Sequence, residues 1–340
     1  MSTGDPSPVT TMRQLLLGNR TTHLLHVAAE LGLADLLADG PRTSADLAHR
    51  TGAHTDALHR VLRALADLGV FTEREDGRFM LTPLGECLRT DHPQSLRTAA
   101  RVWGHESHTR PWTDLLRTVT TGEPAFERLF GTDFFSHLAT QPQLADRFNE
   151  DLAHALASRN APIVASYNFE GFDLIVDVGG GLGGLLFEIL AATTHPQGIV
   201  FDLPHCEATV TRAIADAGLT ERCRFEGGDF FTAVSAGAKA YLLRHVLNDW
   251  DDAHALAILA SCRRAVVPTG RLLVIGWLPP EGEAWPASVV RADVNMLAVT
   301  GGRARPAEEY NRLLAKTGWR LARVIPTDES SYSLLEAVPG

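Results

Sequence analysis

The apolar run Leu174-Ile175-Val176 leads into Asp177-Val178-Gly179-Gly180-Gly181-Leu182-Gly183-Gly184, and Leu185-Leu186-Phe187-Glu188-Ile189-Leu190 follows. No other stretch restricts the fold as tightly. Apolar residues breaking into glycines and then into a helical pattern predict a strand, a tight turn and a helix N-terminus, where bare backbone lets a ligand come close. Gly179-x-Gly181-x-x-Gly184 also fits a dinucleotide fingerprint, a pattern that a merely tight strand-to-helix turn can share.

Downstream the chain alternates. Strands are predicted at Leu174 to Val178, Ile199 to Asp202, Cys223 to Glu226, Tyr241 to Val246, Arg271 to Trp277, Leu321 to Pro326 and Tyr332 to Val338. Helices fall between them at Leu185 to Ala192, Ala208 to Ala217, Ala253 to Val267 and Pro306 to Thr317. Such alternation predicts an α/β fold with a doubly wound, mostly parallel, Rossmann-like sheet. Thr327 to Ser331 is too short for a helical crossover, so the last two strands should form an antiparallel hairpin at or near an edge.

Upstream, Leu16, Leu24, Leu25, Val27, Ala28, Leu31, Leu33, Leu36 and Leu37 recur at helical spacing and predict two helices parted near Gly32. A capped helix at Thr43 to Ala48, a helix over Thr55 to Leu68 and a hairpin around Glu75-Asp76-Gly77 complete a winged helix. The charges Asp56, Arg60, Arg63 and Asp67 cancel on the Thr55 to Leu68 helix, whereas phosphate binding wants a basic surplus. A dimerisation or lid module therefore fits better than a DNA reader or a regulator. Residues 96–166 read as amphipathic helices crowded with aromatics, a region able to wall a flat guest. The organisation expected is 1–95 winged-helix dimerisation domain, 96–166 helical linker and pocket region, and 167–340 cofactor-binding domain.

Composition excludes several partners. A net charge of −10 and a pI near 5.8 argue against nucleic acid or an anionic membrane as the main partner, since either would need a basic face. The four cysteines, Cys87, Cys206, Cys223 and Cys262, are far apart with no C-x-x-C pair, so neither a disulfide framework nor a metal site is indicated. Met1 to Thr11 lacks the basic and apolar segments of a signal peptide, and a cytoplasmic setting is expected.

Two acids discriminate between nucleotides. Asp202 ends the second strand, where a carboxylate can accept both ribose hydroxyls, as in NAD sites. Gly227-Gly228-Asp229-Phe230-Phe231 ends the third, offering an acid for an adenine amino group and an aromatic face beside the base. This pair, with the closing hairpin, points to S-adenosylmethionine.

Together with Phe201-Asp202-Leu203-Pro204, Leu243-Arg244-His245-Val246-Leu247-Asn248-Asp249-Trp250-Asp251-Asp252 and Asp293-Val294-Asn295-Met296-Leu297, these motifs resemble the small-molecule O-methyltransferases of the caffeic-acid type. The bacterial members of aromatic polyketide pathways are the nearest kind, and the likeness covers nearly the whole chain. It implies a homodimer acting on an aromatic or polyketide-like small molecule. It also implies that Asp177, Gly179, Gly181, Gly183, Asp202, Leu203, Asp229, Phe230 and Arg244 hold S-adenosylmethionine or S-adenosylhomocysteine, Arg244 standing where the family usually has Lys. Trp103, His105, Phe148, Leu152, Asn295 and Met296 are the candidates for the acceptor pocket.

The chain departs from that family at its acid-base positions. Asn248 stands where a general-base His is usual, and Gly276 and Ala304 stand where Glu is usual. His245 lies three residues too early to substitute. A phenol of pKa about 10 is only about a thousandth ionised at pH 7, and a positioned base typically contributes about 10²–10⁴-fold. Two remedies follow: an acceptor that is already acidic, such as a hydroxyquinone, methylated by proximity, or a non-methylating reaction such as hydroxylation, cyclisation, a pericyclic step or decarboxylation. Asn248 and Asp249 are the candidate catalytic residues; Asn248 reads equally as a turn residue or as a hydrogen-bonding partner of a substrate oxygen, and Asp249 reads more readily as the cap of the following helix than as a base.

Overall fold

The computed structural model describes residues 7–278, 282, 284–327 and 332–340, and the chain divides into two compact units, Met1–Thr109 and Arg110–Gly340. In the first, α1 (Pro8–Leu16), α2 (Gly18–Glu30) and α3 (Leu33–Ala38) open the chain. Helix α1 begins earlier than the apolar spacing predicts, because Ser7 caps Thr10 with Pro8 behind it. It also ends at Leu16, one break more than expected before the left-handed Gly32. Strand β1 (Arg42–Thr43), α4 (Ser44–Thr51), α5 (Thr55–Asp67), β2 (Phe71–Glu73) and β3 (Arg78–Leu81) then form the predicted winged helix. Its sheet runs β1-β3-β2, and Leu33, Leu37, Leu47, Leu58, Leu62, Leu65, Phe71 and Phe79 fill the core. The unit closes with α6 (Pro83–Glu86) and α7 (Arg97–Trp103).

Helix α8 (Glu106–Thr113) begins before the division. The second unit continues with α9 (Leu115–Thr121), α10 (Ala125–Phe130), α11 (Phe134–Ala139), α12 (Pro142–Ala157) and α13 (Asn160–Ser166). There follow β4 (Leu174–Val178), α14 (Gly184–Ala192), β5 (Gln197–Asp202), α15 (Glu207–Asp216), β6 (Cys223–Gly227), β7 (Ala240–Arg244), α16 (Asp252–Ala265) and β8 (Arg271–Trp277). The last elements are α17 (Ala287–Val299), α18 (Ala307–Lys316), β9 (Trp319–Pro326) and β10 (Tyr332–Pro339). Every predicted strand forms within two residues of its expected bounds.

The sheet order is β6-β5-β4-β7-β8-β10-β9. Strands β4 to β8 pair in parallel, while β10 runs antiparallel between β8 and the edge strand β9. The connection between those last strands lies, past Thr327, outside the described residues, as does most of the polar segment Met1 to Thr11. Alternation along β4 and β5 sends Ile175 and Val200 to one face, against α13, α14 and α15, and Val176 and Ile199 to the other, against α16 and α18. The order of the strands reverses at β4, between β5 and β7. Such a switch point opens a crevice at the carboxyl ends of the strands.

Candidate active site

At that crevice β4 breaks into the glycines. Gly179 adopts φ +68°, and a Cβ there would lie 2.8 Å from the Val246 side chain, so only glycine fits. Phe201 O accepts from the Gly179 N–H at 2.8 Å, tying the turn to β5. Asp202 reinforces it: Oδ2 accepts from the Gly181 N–H at 2.8 Å and Oδ1 from the Leu203 N–H at 2.7 Å. Burial holds this carboxyl above its ordinary range against those two donors. Gly183 caps α14 in a left-handed conformation.

A cleft of about 70 Å³ opens over the turn, lined by Asp177, Gly179, Gly181, Leu182 and Arg244 below and by α12 above. Asn149, Leu152, Ala153 and Leu156 supply the α12 face at helical spacing. That stripe was not anticipated as a whole; its i, i+3, i+4, i+7 repeat was present in the sequence but mixed polar with apolar residues. Arg244 ends β7, donating to Leu156 O at 2.8 Å, to Tyr332 Oη at 3.2 Å and to Asn160 Oδ1. Asp177 is buried, and its Oδ1 has no hydrogen-bond partner among the described residues. Desolvation pushes its carboxyl up to about 7, with Arg244 opposing and Asp202 adding to the rise.

Past β6, Asp229 accepts from the Phe231 N–H at 2.8 Å and pairs with Thr232 Oγ1 at 3.3 Å, so it organises its own turn. The Phe230 ring comes within 3.6 Å of the Cβ position of Gly179. The predicted set Asp177, Gly179, Gly181, Asp202, Phe230 and Arg244 thus converges on one end of the sheet.

Past β7 the chain makes a tight turn, Leu247–Asp249. Asn248 is buried; its Nδ2 lies 3.1 Å from Asp249 Oδ1 and 3.2 Å from Met296 Sδ. Burial alone pushes Asp249 up to about 7. Asp249 does not cap the following helix. Asp251 does, accepting from the His254 N–H at 2.8 Å, because α16 starts two residues later than a cap at 249 would require.

Met296 and Asn295 lie on α17, a helix absent from the predicted elements because its single apolar stripe carries Asp293 and Asn295. Asn295 Oδ1 accepts from Trp112 Nε1 at 3.1 Å. Phe148 packs edge-on to Phe134 at 5.2 Å, in a cluster shared with Ala298 and Val299. Asn248 thus meets α17 through Met296, Trp112 meets it through Asn295, and Phe148 packs with the cluster that holds Ala298 and Val299. Trp103 and His105 belong to the first unit, where Trp103 is 48% exposed and His105 Nδ1 lies 2.9 Å from Ser107 Oγ.

Gly276 faces the His245 ring, whose Nδ1 lies 3.8 Å from the Gly276 Cβ position. His245 is the one non-glycine among the described residues in the left-handed region, at φ 53°. Burial, helped by Arg244 and Arg159, lowers it to about 3, so the imidazole stays neutral. Ala304 donates its N–H to Asp293 Oδ1 at 2.6 Å. Among the described residues no cluster of His, Cys, Asp or Glu could hold a metal ion, and no helix is long and apolar enough to cross a membrane.

Comparison with known proteins agrees over almost the full length. Residues 13–91 match the model of an O-methyltransferase dimerisation domain, and residues 112–320 that of an O-methyltransferase domain. The chain is 42% identical to a phenazine O-methyltransferase of Lysobacter antibioticus, over 96% of this chain and 95% of that protein. It superposes with TM-score 0.83 and 34% identity on an O-methyltransferase of neocarzinostatin biosynthesis solved with S-adenosylmethionine and 2-hydroxy-5-methyl naphthoic acid, covering 94% of this chain and 96% of that one. It is also 37% identical to the aclacinomycin 10-hydroxylase of Streptomyces purpurascens, over 90% of this chain and 83% of that protein.

Proposed function

The chain belongs to the S-adenosylmethionine-dependent O-methyltransferases of secondary metabolism, and on that premise we propose that it methylates an acidic hydroxyl of an aromatic or polyketide-like molecule without an imidazole base. The observation that carries this reading is the turn after β7, where a buried amide, Asn248, stands against Met296 and hydrogen-bonds the half-buried carboxyl of Asp249.

The residues at the cleft fit the cofactor. An unpartnered buried oxygen on Asp177, the bare Gly179 backbone and the Asp202 carboxylate offer acceptors and close approach to its amino-acid and sugar portions. When bound, S-adenosylmethionine supplies a methyl group on a sulfonium centre. Phe230, beside Gly179, offers an apolar face to the base. Asn248 holds the acceptor oxygen through its amide, and Met296 and the α17 wall keep water from it. Where the acceptor is still protonated, its O–H bond breaks toward Asp249: the carboxylate takes the proton and the oxygen keeps the electron pair, which leaves it nucleophilic. An acid near 7 is suited to that exchange at neutral pH. His245, held near 3, is too weakly basic to share it.

Two copies pair through the first unit, whose α1 leaves Met12, Leu15 and Leu16 exposed within the matched dimerisation domain or at its border. One further reading has support in the hydroxylase relative: a cofactor-binding homologue that performs a non-methylating step. Incubation with methyl-labelled S-adenosylmethionine and either 2-hydroxy-1,4-naphthoquinone or 2-naphthol separates the two. Label in the quinone ether, with the naphthol slower, supports methyl transfer to an acidic acceptor. An extract of the producing organism in which a product changes while no small molecule gains label supports the second reading.

A further inference from the structure

Arg305 is a fully buried cation that no part of the reading above uses. It follows Gly301-Gly302-Arg303-Ala304, a loop 55 residues along the chain from the turn it touches. Its Nη1 donates to Leu247 O at 2.6 Å and its Nη2 to Trp250 O at 2.7 Å. Nη2 and Nε also donate to Asp252 Oδ1, at 2.8 and 3.1 Å. The two carbonyls belong to the residues immediately before Asn248 and immediately after Asp249. One planar guanidinium therefore brackets the pair.

The same loop presses on the turn from its own backbone. A Cβ on Gly302 would sit 2.1 Å from Asn248 O and 2.7 Å from Asp249 Cα. Contact this close fixes the turn against the loop with no side chain between them. Asp252 is also held by Arg303, at 3.2 Å, so the anchor for the guanidinium is itself tied down.

We propose that Arg305 is the positioning residue of this active site: by holding the carbonyls on both sides of Asn248–Asp249 it sets where the amide and the carboxyl stand against the acceptor. The inference rests on the reading that those two side chains meet the acceptor. Burying a charge is costly, and an apolar residue would fill the space without that cost. The fork does what an apolar residue cannot, joining three acceptors in one plane, and a lysine ammonium cannot span them either.

The test compares Arg305→Lys and Asp252→Asn with the unaltered protein. The Asp249 carboxyl is titrated by carbon NMR of protein labelled at aspartate, Asp249→Asn assigning the signal, and turnover is followed with methyl-labelled S-adenosylmethionine and 2-hydroxy-1,4-naphthoquinone. With Arg305→Lys the turn loosens toward water: the Asp249 titration moves down from about 7 toward its ordinary range, kcat falls roughly tenfold, and calorimetric affinity for S-adenosylmethionine stays within about twofold. Asp252→Asn, which leaves the fork on its carbonyls, shifts both readouts less. An Arg305→Lys protein that keeps the Asp249 titration in place overturns the proposal, as does one whose cofactor affinity falls in parallel with kcat, the mark of general unfolding. If Asn248→Ala and Asp249→Asn leave turnover unchanged while the Arg305→Lys titration still moves, the assignment of those two residues fails and the bracket stands.

Discussion

Asn248 and Asp249 share one hydrogen bond, and the carboxyl meets no cation there, so its charge is governed by how little water reaches it. A base near 7 acts best above that pH, and kcat/KM on 2-naphthol should climb to a plateau above about pH 7. Asp249→Asn should remove that limb and cost on the order of a hundredfold on 2-naphthol, but much less on 2-hydroxy-1,4-naphthoquinone, whose hydroxyl is already ionised. Asn248→His should add little on the quinone; a gain of about a hundredfold or more there would mean that proton removal limits the native enzyme. His245 shows how local this chemistry is. Its left-handed backbone, a conformation that costs about 1–3 kcal/mol in non-glycine residues, seats the ring edge-on to Trp277 at 4.5 Å and beside Asn248, where burial leaves it too weakly basic to take a proton.

The strand-turn-helix unit around Gly179 was legible because β-branched runs and glycines are local signals. The parallel order followed from alternation with helices. What escaped was non-local. Nothing in the sequence joins Arg305 to Leu247 and Trp250, since a buried arginine and a surface one read alike until the loop is folded back. Helix α17 hid because Asp293 and Asn295, which accept from the Ala304 N–H and from Trp112, interrupt its apolar pattern, and Asp251 rather than Asp249 became the cap because Asp249-Trp250-Asp251-Asp252 offers several acids within reach of one helix start. At the turn itself a sharp expectation follows. Gly179→Ala would force a Cβ to 2.8 Å from Val246 in a left-handed backbone, and strain of about 1–3 kcal/mol should weaken S-adenosylmethionine binding roughly 5–150-fold by calorimetry. An unchanged affinity would mean that the turn does not carry the cofactor.

Over the whole molecule the buried acids leave a signature in stability. Asp177 titrates at about 7 in the fold against 3.8 as a free residue, which corresponds to about 4 kcal/mol. A carboxyl raised in this way favours the fold fully only below 3.8, where it is protonated in both states, and that contribution is lost progressively as pH climbs from there to about 7. Buried imidazoles act the other way: His108, lowered to about 4, and His245 favour unfolding as pH falls below 6.5. The difference between variant and parent isolates the carboxyl. Asp177→Asn, without cofactor, should gain about 2–3 kcal/mol on the parent in urea between pH 5 and pH 8; a difference between the two proteins that is the same at both pH values would show that Asp177 is not held neutral.

The position of β10 has a consequence for biosynthesis. It lies between β8 and β9 although it follows both in the chain. While the ribosome adds the residues between Trp277 and Tyr332, β8 has a neighbour on one side only. At about 5–20 residues per second that interval lasts roughly 3–10 s, during which a nascent chain offers an open row of amides and carbonyls to any other strand nearby. Crowded polysomes would therefore be where this protein is most exposed to misassembly, and slower decoding just upstream of Tyr332 would lengthen the hazard.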